Sequence, residues 1–273
     1  MNTIFFSALL FLAGGFAVTR LFLPFLLVLL TQAGLLRPNY REELIPAGAG
    51  LVFFPAALFF AAVWVCLTRD ERTAPAVLFT VAAFTGLGLI DDVRGDREVS
   101  GFAGHWQSLC RGKPTTGVCK AAGGLAAAAL VAAAAAPRPL FLLNVLVIAL
   151  SANAINLLDL RPGRAGKGFL LPAGIFLGAA WNQPEMLFLW FFLGCVLAYL
   201  RVDLKAKAML GDTGANPLGA VLGLGAVWAL NETGLALYLA VLLCAHLLAE
   251  KYSLTGLIAR SRLLDYLDRL GRS

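Results

Sequence analysis

The sequence predicts an all-α protein, a polytopic transmembrane helical bundle of about nine spans with its N-terminus outside and its C-terminus in the cytoplasm. Three observations lead there. Hydrophobic residues make up 60% of the chain and charged residues 14%, with a mean hydropathy of +0.81, a balance far from that of a soluble domain. Apolar runs of the roughly 20 residues needed to cross about 30 Å of hydrocarbon recur along the chain. Lysine and arginine are also unevenly placed: 18 of 22 fall in one set of connections, and only Arg69, Arg72 and Arg138 in the opposite set. Cytoplasmic loops accumulate such positive charge, which sets the orientation.

The first run, residues 4–31, is overlong and carries Arg20. It lacks both a basic n-region and a small-residue cleavage site, so it reads as a retained, tilted or kinked helix and not as a removable signal peptide. Runs at 50–68 and 75–91 follow, the second ending on Asp91-Asp92. The long connection from Val93 to Gly117 is expected to form a small cap, with His105, Trp106 and Lys113 as candidate contacts. A span at 117–136 contains Lys120, then Gly123-Gly124 and an alanine-rich stretch suited to close helix packing. The span at 139–158 carries Asn153 and Asn156 and leads into Asp159; those at 168–182 and 185–201 are apolar, the former short. Gly211-Asp212-Thr213-Gly214 precedes a span at 215–230, in which Asn216 suits an N-cap and Pro217 a first helical turn. The last span, 234–252, holds His246 and Glu250 one turn apart, as a structural pair or a proton-transfer pair. Residues 1–257 thus form one transmembrane unit, and 258–273 a basic amphipathic tail expected to lie on the membrane surface.

The net charge of +6 is explained by this topology together with attraction to anionic headgroups or phosphates, and it gives no support to nucleic-acid binding. Five cysteines, Cys66, Cys110, Cys119, Cys195 and Cys244, contain no Cys-x-x-Cys pair, so neither a disulfide framework nor a zinc site is indicated.

Chemistry concentrates where helices end on the cytoplasmic side. Asp91 and Asp92 close a helix whose terminal carbonyls already carry partial negative charge, an arrangement that repels itself unless a divalent cation or a lysine is drawn in. Mg²⁺ suits such a place, because it takes one or two carboxylates and completes its shell with substrate phosphates. Asn153, Asn156 and Asp159 recur every third residue, so on a helix they form a polar stripe able to recognise a sugar, a base or a phosphate-bound metal, or else to bond a neighbouring helix. Asp212 sits before a helix N-terminus whose amides would receive an anion such as diphosphate. Lys120 must snorkel to the same surface, to a phosphate or to an aspartate.

Taken in order, the Asp-Asp pair, the following lysine, Asn-x-x-Asn-x-x-Asp and Gly-Asp-x-Gly resemble the polyprenyl-phosphate N-acetylhexosamine-1-phosphate transferases. That superfamily, of the glycosyltransferase family 4 type, includes phospho-N-acetylmuramoyl-pentapeptide transferase. The first cytoplasmic loop, Arg37-Pro38-Asn39-Tyr40 with Ile45-Pro46-Ala47-Gly48-Ala49-Gly50, is similar too, and the likeness runs over roughly residues 30–260. The resemblance implies Mg²⁺-dependent transfer of a sugar phosphate from a UDP-sugar to polyprenyl phosphate in the bacterial plasma membrane, as a step of cell-wall or surface-glycan synthesis. Under it, Asp212 is the main Mg²⁺ ligand. Asp91 and Asp92 are catalytic, binding or positioning the lipid phosphate and metal, with Asp92 as a second ligand and one of the pair as a general base. Lys120 holds the diphosphate, and Asn153, Asn156 and Asp159 line the nucleotide-sugar side. A homodimer is an expectation carried by the resemblance alone. Direct attack and an aspartyl-phosphate route both fit.

The chain departs from the family pattern in three places. Asp159 is followed by Leu160-Arg161-Pro162-Gly163, so Pro162 stands where a second aspartate contacts the nucleobase; the His-rich loop is absent; and the tail replaces a tenth span. A second reading therefore stays open, a catalytically inactive relative that binds polyprenyl phosphate as a membrane partner or regulator.

Overall fold

The structure, a computed structural model, describes residues 2–94, 116–135 and 138–272. The expected cap with His105, Trp106 and Lys113 lies outside them. Helices account for nearly everything: α1 (Asn2–Gln32), α2 (Phe53–Leu67), α3 (Thr73–Arg94), α4 (Thr116–Ala135), α5 (Phe141–Leu158), α6 (Arg164–Ala179), α7 (Leu187–Asp203), α8 (Asp212–Ala229), α9 (Glu232–Lys251), and two short helices, α10 (Leu254–Arg260) and α11 (Arg262–Arg269). A hairpin of β1 (Leu36–Pro38) and β2 (Leu44–Pro46), antiparallel with Arg37 opposite Ile45, supplies the described strands.

A helix stands at each of the nine apolar runs. Six among the described residues are long and apolar enough to cross a membrane: those at 3–32, 49–67, 73–93, 141–158, 184–203 and 232–251. The others fall short for visible reasons. The helix α6 has only 16 residues, the apolar part of α4 runs from Lys120 to Ala135, and α8 opens on Asp212-Thr213-Gly214-Ala215-Asn216-Pro217, whose polar side chains lower its hydropathy. The first helix runs unbroken through Pro24 with Arg20 exposed.

The bundle is organised around α8, which is buried from Thr213 to Val227 and packs chiefly against α5 and α3. Small residues make this possible. A Cβ at Gly219 would overlap the Ser151 carbonyl of α5, and one at Gly223 would lie 2.7 Å from the Ile148 Cα. Without a hydrophobic drive between helices in lipid, close backbone approach of this kind supplies the attraction. A second centre joins α1 to α7. There Phe60 and Trp64 of α2 stack with ring centroids 5.5 Å apart, and Phe191 of α7 meets Phe60 at the same separation. Large apolar residues on the outer faces, such as Leu10, Phe25, Leu142 and Leu237, are exposed, as lipid-facing residues of a membrane bundle must be.

After α9, Ser253 and Ser261 cap the starts of α10 and α11. The tail is docked to the bundle through its polar side. Asp268 of α11 accepts from Arg164 Nε and Nη2 at 2.8 and 2.9 Å and from Arg272 at 3.0 Å. Burial raises this carboxyl, but the bonds from Arg164 and then Arg272 outweigh it and hold it down at about 2.

Candidate active site

The polar motifs meet at one end of the bundle because each occupies the end of a different helix. Lys120, at the start of α4, projects between Asp91 at the end of α3 and Asp212 at the start of α8: its Nζ lies 3.4 Å from Asp91 Oδ2 and bonds Asp212 Oδ2 directly. Asn156, near the end of α5, closes the group. With its amide oriented to suit its neighbours, it donates to Asp212 Oδ1 at 2.9 Å and accepts from Lys120 Nζ at 3.1 Å. Four residues from four helices therefore touch, with the Lys120 and Asp212 side chains 20% and 22% exposed and Asp91 28% exposed. That partial burial strengthens the charge pairing while leaving an approach from the aqueous side.

Asp92 points elsewhere. Its Oδ1 accepts from the Asp212 amide at 3.1 Å, and its Oδ2 accepts from the Thr213 amide at 2.9 Å and the Thr213 hydroxyl at 2.6 Å. A carboxylate from α3 thus caps the first amides of α8, where the helix dipole favours negative charge. Arg37 on the hairpin steadies the same corner by donating to the Asp92 carbonyl at 2.9 Å. The corner tolerates no side chain at two glycines. Gly211 has φ 73° and a Cβ there would lie 2.6 Å from Asp92 Oδ2, while a Cβ at Gly88 would overlap the Asp212 carbonyl.

Asp159 accepts from the Gly211 amide at 3.0 Å and so orients the turn into α8 from the opposite side. Burial, and then the nearby Asp203 charge, push its carboxyl up to about 7. Asp203, which the sequence reading did not single out, is buried at the end of α7 and accepts from the Gly163 amide at 2.9 Å. It fixes the loop after Asp159 as Asp159 fixes the loop before Asp212. The same loop places the Arg161 guanidinium 5.8 Å from the ring centre of Tyr40, beside Arg41 at 5.1 Å. Nothing in the pattern around Asp203, a single aspartate near Arg201 and Lys205, distinguishes it from a solvated loop residue.

The sequence-predicted residues therefore divide. Asp91, Lys120, Asn156 and Asp212 are in mutual contact, and Asp92 and Asp159 hold the backbone on which Asp212 stands. Asn153 is exposed and makes no hydrogen bond to the cluster among the described residues; on the helix it lies about 120° round from Asp159. His246 bonds the Leu242 carbonyl one turn back in α9 at 2.7 Å.

Among the described residues, no three His, Cys, Asp or Glu side chains group closely enough to form a metal cage of protein ligands alone. Mg²⁺ does not require one, since one or two carboxylates with phosphate and water oxygens suffice. Asp212 and Asp91, drawn together on Lys120, offer hard oxygens of that kind.

This architecture, with carboxylates and a lysine gathered at helix ends around a buried glycine-rich helix, coincides with a family match. The family model described as Glycosyl transferase family 4 matches residues 74–230, more than half of the chain. The chain belongs to that family. The matched region runs from α3 to the end of α8 and so contains Asp91, Asp92, Lys120, Asn156, Asp159 and Asp212. No curated protein matches the chain.

Proposed function

We propose that this family 4 member transfers a sugar-1-phosphate from a nucleotide-sugar, of the UDP-N-acetylhexosamine type, to polyprenyl phosphate at the cytoplasmic face of a bacterial plasma membrane, serving cell-wall or surface-glycan synthesis. All nine long helices are read as spans in this proposal, with the N-terminus outside. The observation that carries it is the contact of Lys120 with Asp91 and Asp212 at the mouth of α8. In the reaction, an oxygen of the lipid phosphate attacks the phosphorus attached to the sugar. The bond from that phosphorus to the oxygen bridging it to the nucleoside phosphate breaks, and a nucleoside monophosphate leaves. Charge accumulates on phosphoryl oxygens, so the chief demand is a fixed array of positive groups and dipoles.

Asp212 is the principal Mg²⁺ ligand in this reading, and bound Mg²⁺ would neutralise diphosphate charge. Lys120 holds a phosphate oxygen once substrate enters, releasing Asp91 and Asp212 from its ammonium. Asp91, whose side chain is more exposed than that of Asp212, is the group that receives a proton from the lipid phosphate in this reading. Asp92, expected from the sequence to share the metal, uses both oxygens on the amides of α8, so its supported role is to position Asp212. Asn156 orients Asp212, and Asp159 sets the turn before it. Thus Asn156 and Asp159 act chiefly through the backbone and carboxylate of that turn.

The test is purified protein with Mg²⁺, undecaprenyl phosphate and a panel of nucleotide-sugars, scored for lipid-diphosphate sugar and released nucleoside monophosphate. Turnover that disappears in Asp212→Asn supports the proposal; turnover undiminished in that variant rejects the role of Asp212. The second reading, a lipid-binding relative without turnover, is favoured by one feature. The Pro162 carbonyl, at the position of the family's nucleobase aspartate, accepts from Arg272 of the tail at 3.1 Å. Saturable binding of polyprenyl phosphate with no product from any donor would select it.

A further inference from the structure

The short helix α11 is amphipathic, but its faces are the reverse of those on an aqueous surface. Leu263, Tyr266, Leu267 and Leu270 follow the spacing that puts residues on one side of a helix. They are 67%, 63%, 44% and 51% exposed. The side turned to the protein is polar. Asp268 binds Arg164 there, Lys167 donates to the carbonyls of Leu267 and Asp268 at 2.9 and 2.8 Å, and Arg272 donates to the Pro162 carbonyl. In water this would leave an apolar stripe uncovered while the polar groups pack inward, the opposite of what burial favours.

We propose that α11 is an interfacial helix whose outward apolar stripe lies in the headgroup boundary of an anionic phospholipid bilayer, while Asp268 clamps it to Arg164 at the start of α6. Two features select a bilayer over a protein partner. The tail follows directly on α9, whose exposed Leu237, Val241 and Leu247 already mark a lipid-facing surface, so α11 is held at the membrane level where α9 ends. From Lys251 to Arg272 there are five basic residues against two acidic ones, and Lys251, Arg260, Arg262 and Arg269 are exposed. Apolar burial with basic flanks is the recognition chemistry of anionic headgroups. The clamp ties this contact to the start of α6, and the bond from Arg272 to the Pro162 carbonyl ties it to the loop 160–163 that follows Asp159.

The full-length protein, reconstituted in bilayers of phosphatidylglycerol with phosphatidylcholine or of phosphatidylcholine alone, carries a benzophenone amino acid at Leu263 or, separately, at Tyr266. Leu237 serves as a lipid-facing control and Glu42 as an aqueous one. Irradiation is expected to give phospholipid adducts at both tail positions at a level comparable to Leu237, falling at least twofold without phosphatidylglycerol. Adducts between two copies of the chain, adducts no more frequent than at Glu42, or equal yields in the two bilayers would each overturn the proposal. Substitution at two exposed positions guards against a local failure to fold, and the readout is independent of any transferase activity.

Discussion

Asp92 accepts both the amide and the hydroxyl of Thr213, at 2.9 and 2.6 Å, across 121 positions of sequence. The bond joins the last turn of α3 to the first turn of α8 and sets the direction in which the neighbouring Asp212 projects. Removing the acceptor charge should therefore harm catalysis through geometry and not through substrate affinity. For Asp92→Asn the expected result is a kcat reduced about 100-fold with KM changed less than about threefold, the pattern of an interaction needed in the transition state. Thr213→Val, which keeps the amide and loses only the hydroxyl, should lose roughly 1 kcal/mol of stability and about tenfold in kcat. Steady-state kinetics on both variants would show it, and a KM effect exceeding the kcat effect would place Asp92 in substrate binding instead.

Lys120 is the one cation seen bonded to both Asp91 and Asp212 among the described residues. Replacing it with methionine preserves volume but leaves two carboxylates facing one another. Activity should fall at least 100-fold, and the apparent Mg²⁺ affinity of the substrate-free protein should rise, because a competing ammonium has gone. Arginine should not restore turnover, since its planar fork cannot occupy the point position of an ammonium. Calorimetric Mg²⁺ titration beside the activity assay separates the two effects. Unchanged Mg²⁺ binding in Lys120→Met would argue against a shared site.

Gly88 and Gly86 lie on the same helix two residues apart but face different surroundings. A Cβ at Gly88 would collide with the Asp212 carbonyl, whereas one at Gly86 meets nothing within 4 Å. Gly88→Ala should displace the start of α8, costing about 1–3 kcal/mol and most of the activity. Gly86→Ala should be neutral or should stabilise by up to about 1 kcal/mol through helix propensity. Thermal unfolding in detergent, run on the pair with the transferase assay, decides this. Equal effects of the two substitutions would contradict the close approach of α3 to α8.

The meeting of the polar motifs was legible in the sequence because a polar residue at the end of an apolar span has few places to go, and Asp91, Lys120, Asn156 and Asp212 do converge. The nine helices were legible for the same reason, although three of them are shorter or more polar than a spanning helix requires. Orientation was not. Asp91 and Asp92 are adjacent and alike in sequence, yet about 100° of helical rotation sends one to Lys120 and the other to the amides of α8. Asn153 was included by its three-residue period, yet it stands one turn back from Asn156 on an exposed part of α5 and makes no hydrogen bond to the cluster among the described residues. Asp203 and the clamp between Arg164 and Asp268 depend on pairings over 40 and 104 positions, which no local pattern encodes.

Asp159 gives the fold a pH dependence of definite sign. Burial and the Asp203 charge raise its carboxyl from 3.8 to about 7, and the bond from the Gly211 amide only partly opposes this. In the folded protein the proton is retained to a higher pH than in the unfolded chain, so folding takes up a proton between those two values. Stability from this group is then fully present below about pH 4 and is lost as pH rises through about 7. Thermal unfolding of the detergent-solubilised protein should accordingly occur at a higher temperature at pH 5.5 than at pH 8. Asp159→Asn keeps an oxygen for Gly211 without a titrating proton, so it should reduce the difference to the part that comes from Asp203, whose carboxyl burial pushes up to about 6, and should unfold at a higher temperature than the parent at pH 8. A slope that persists unchanged in the asparagine variant would assign the titration to another group. A variant less stable than the parent at pH 8 would mean that the carboxylate's charge, offered to the Gly211 amide and the dipole of α8, outweighs its burial.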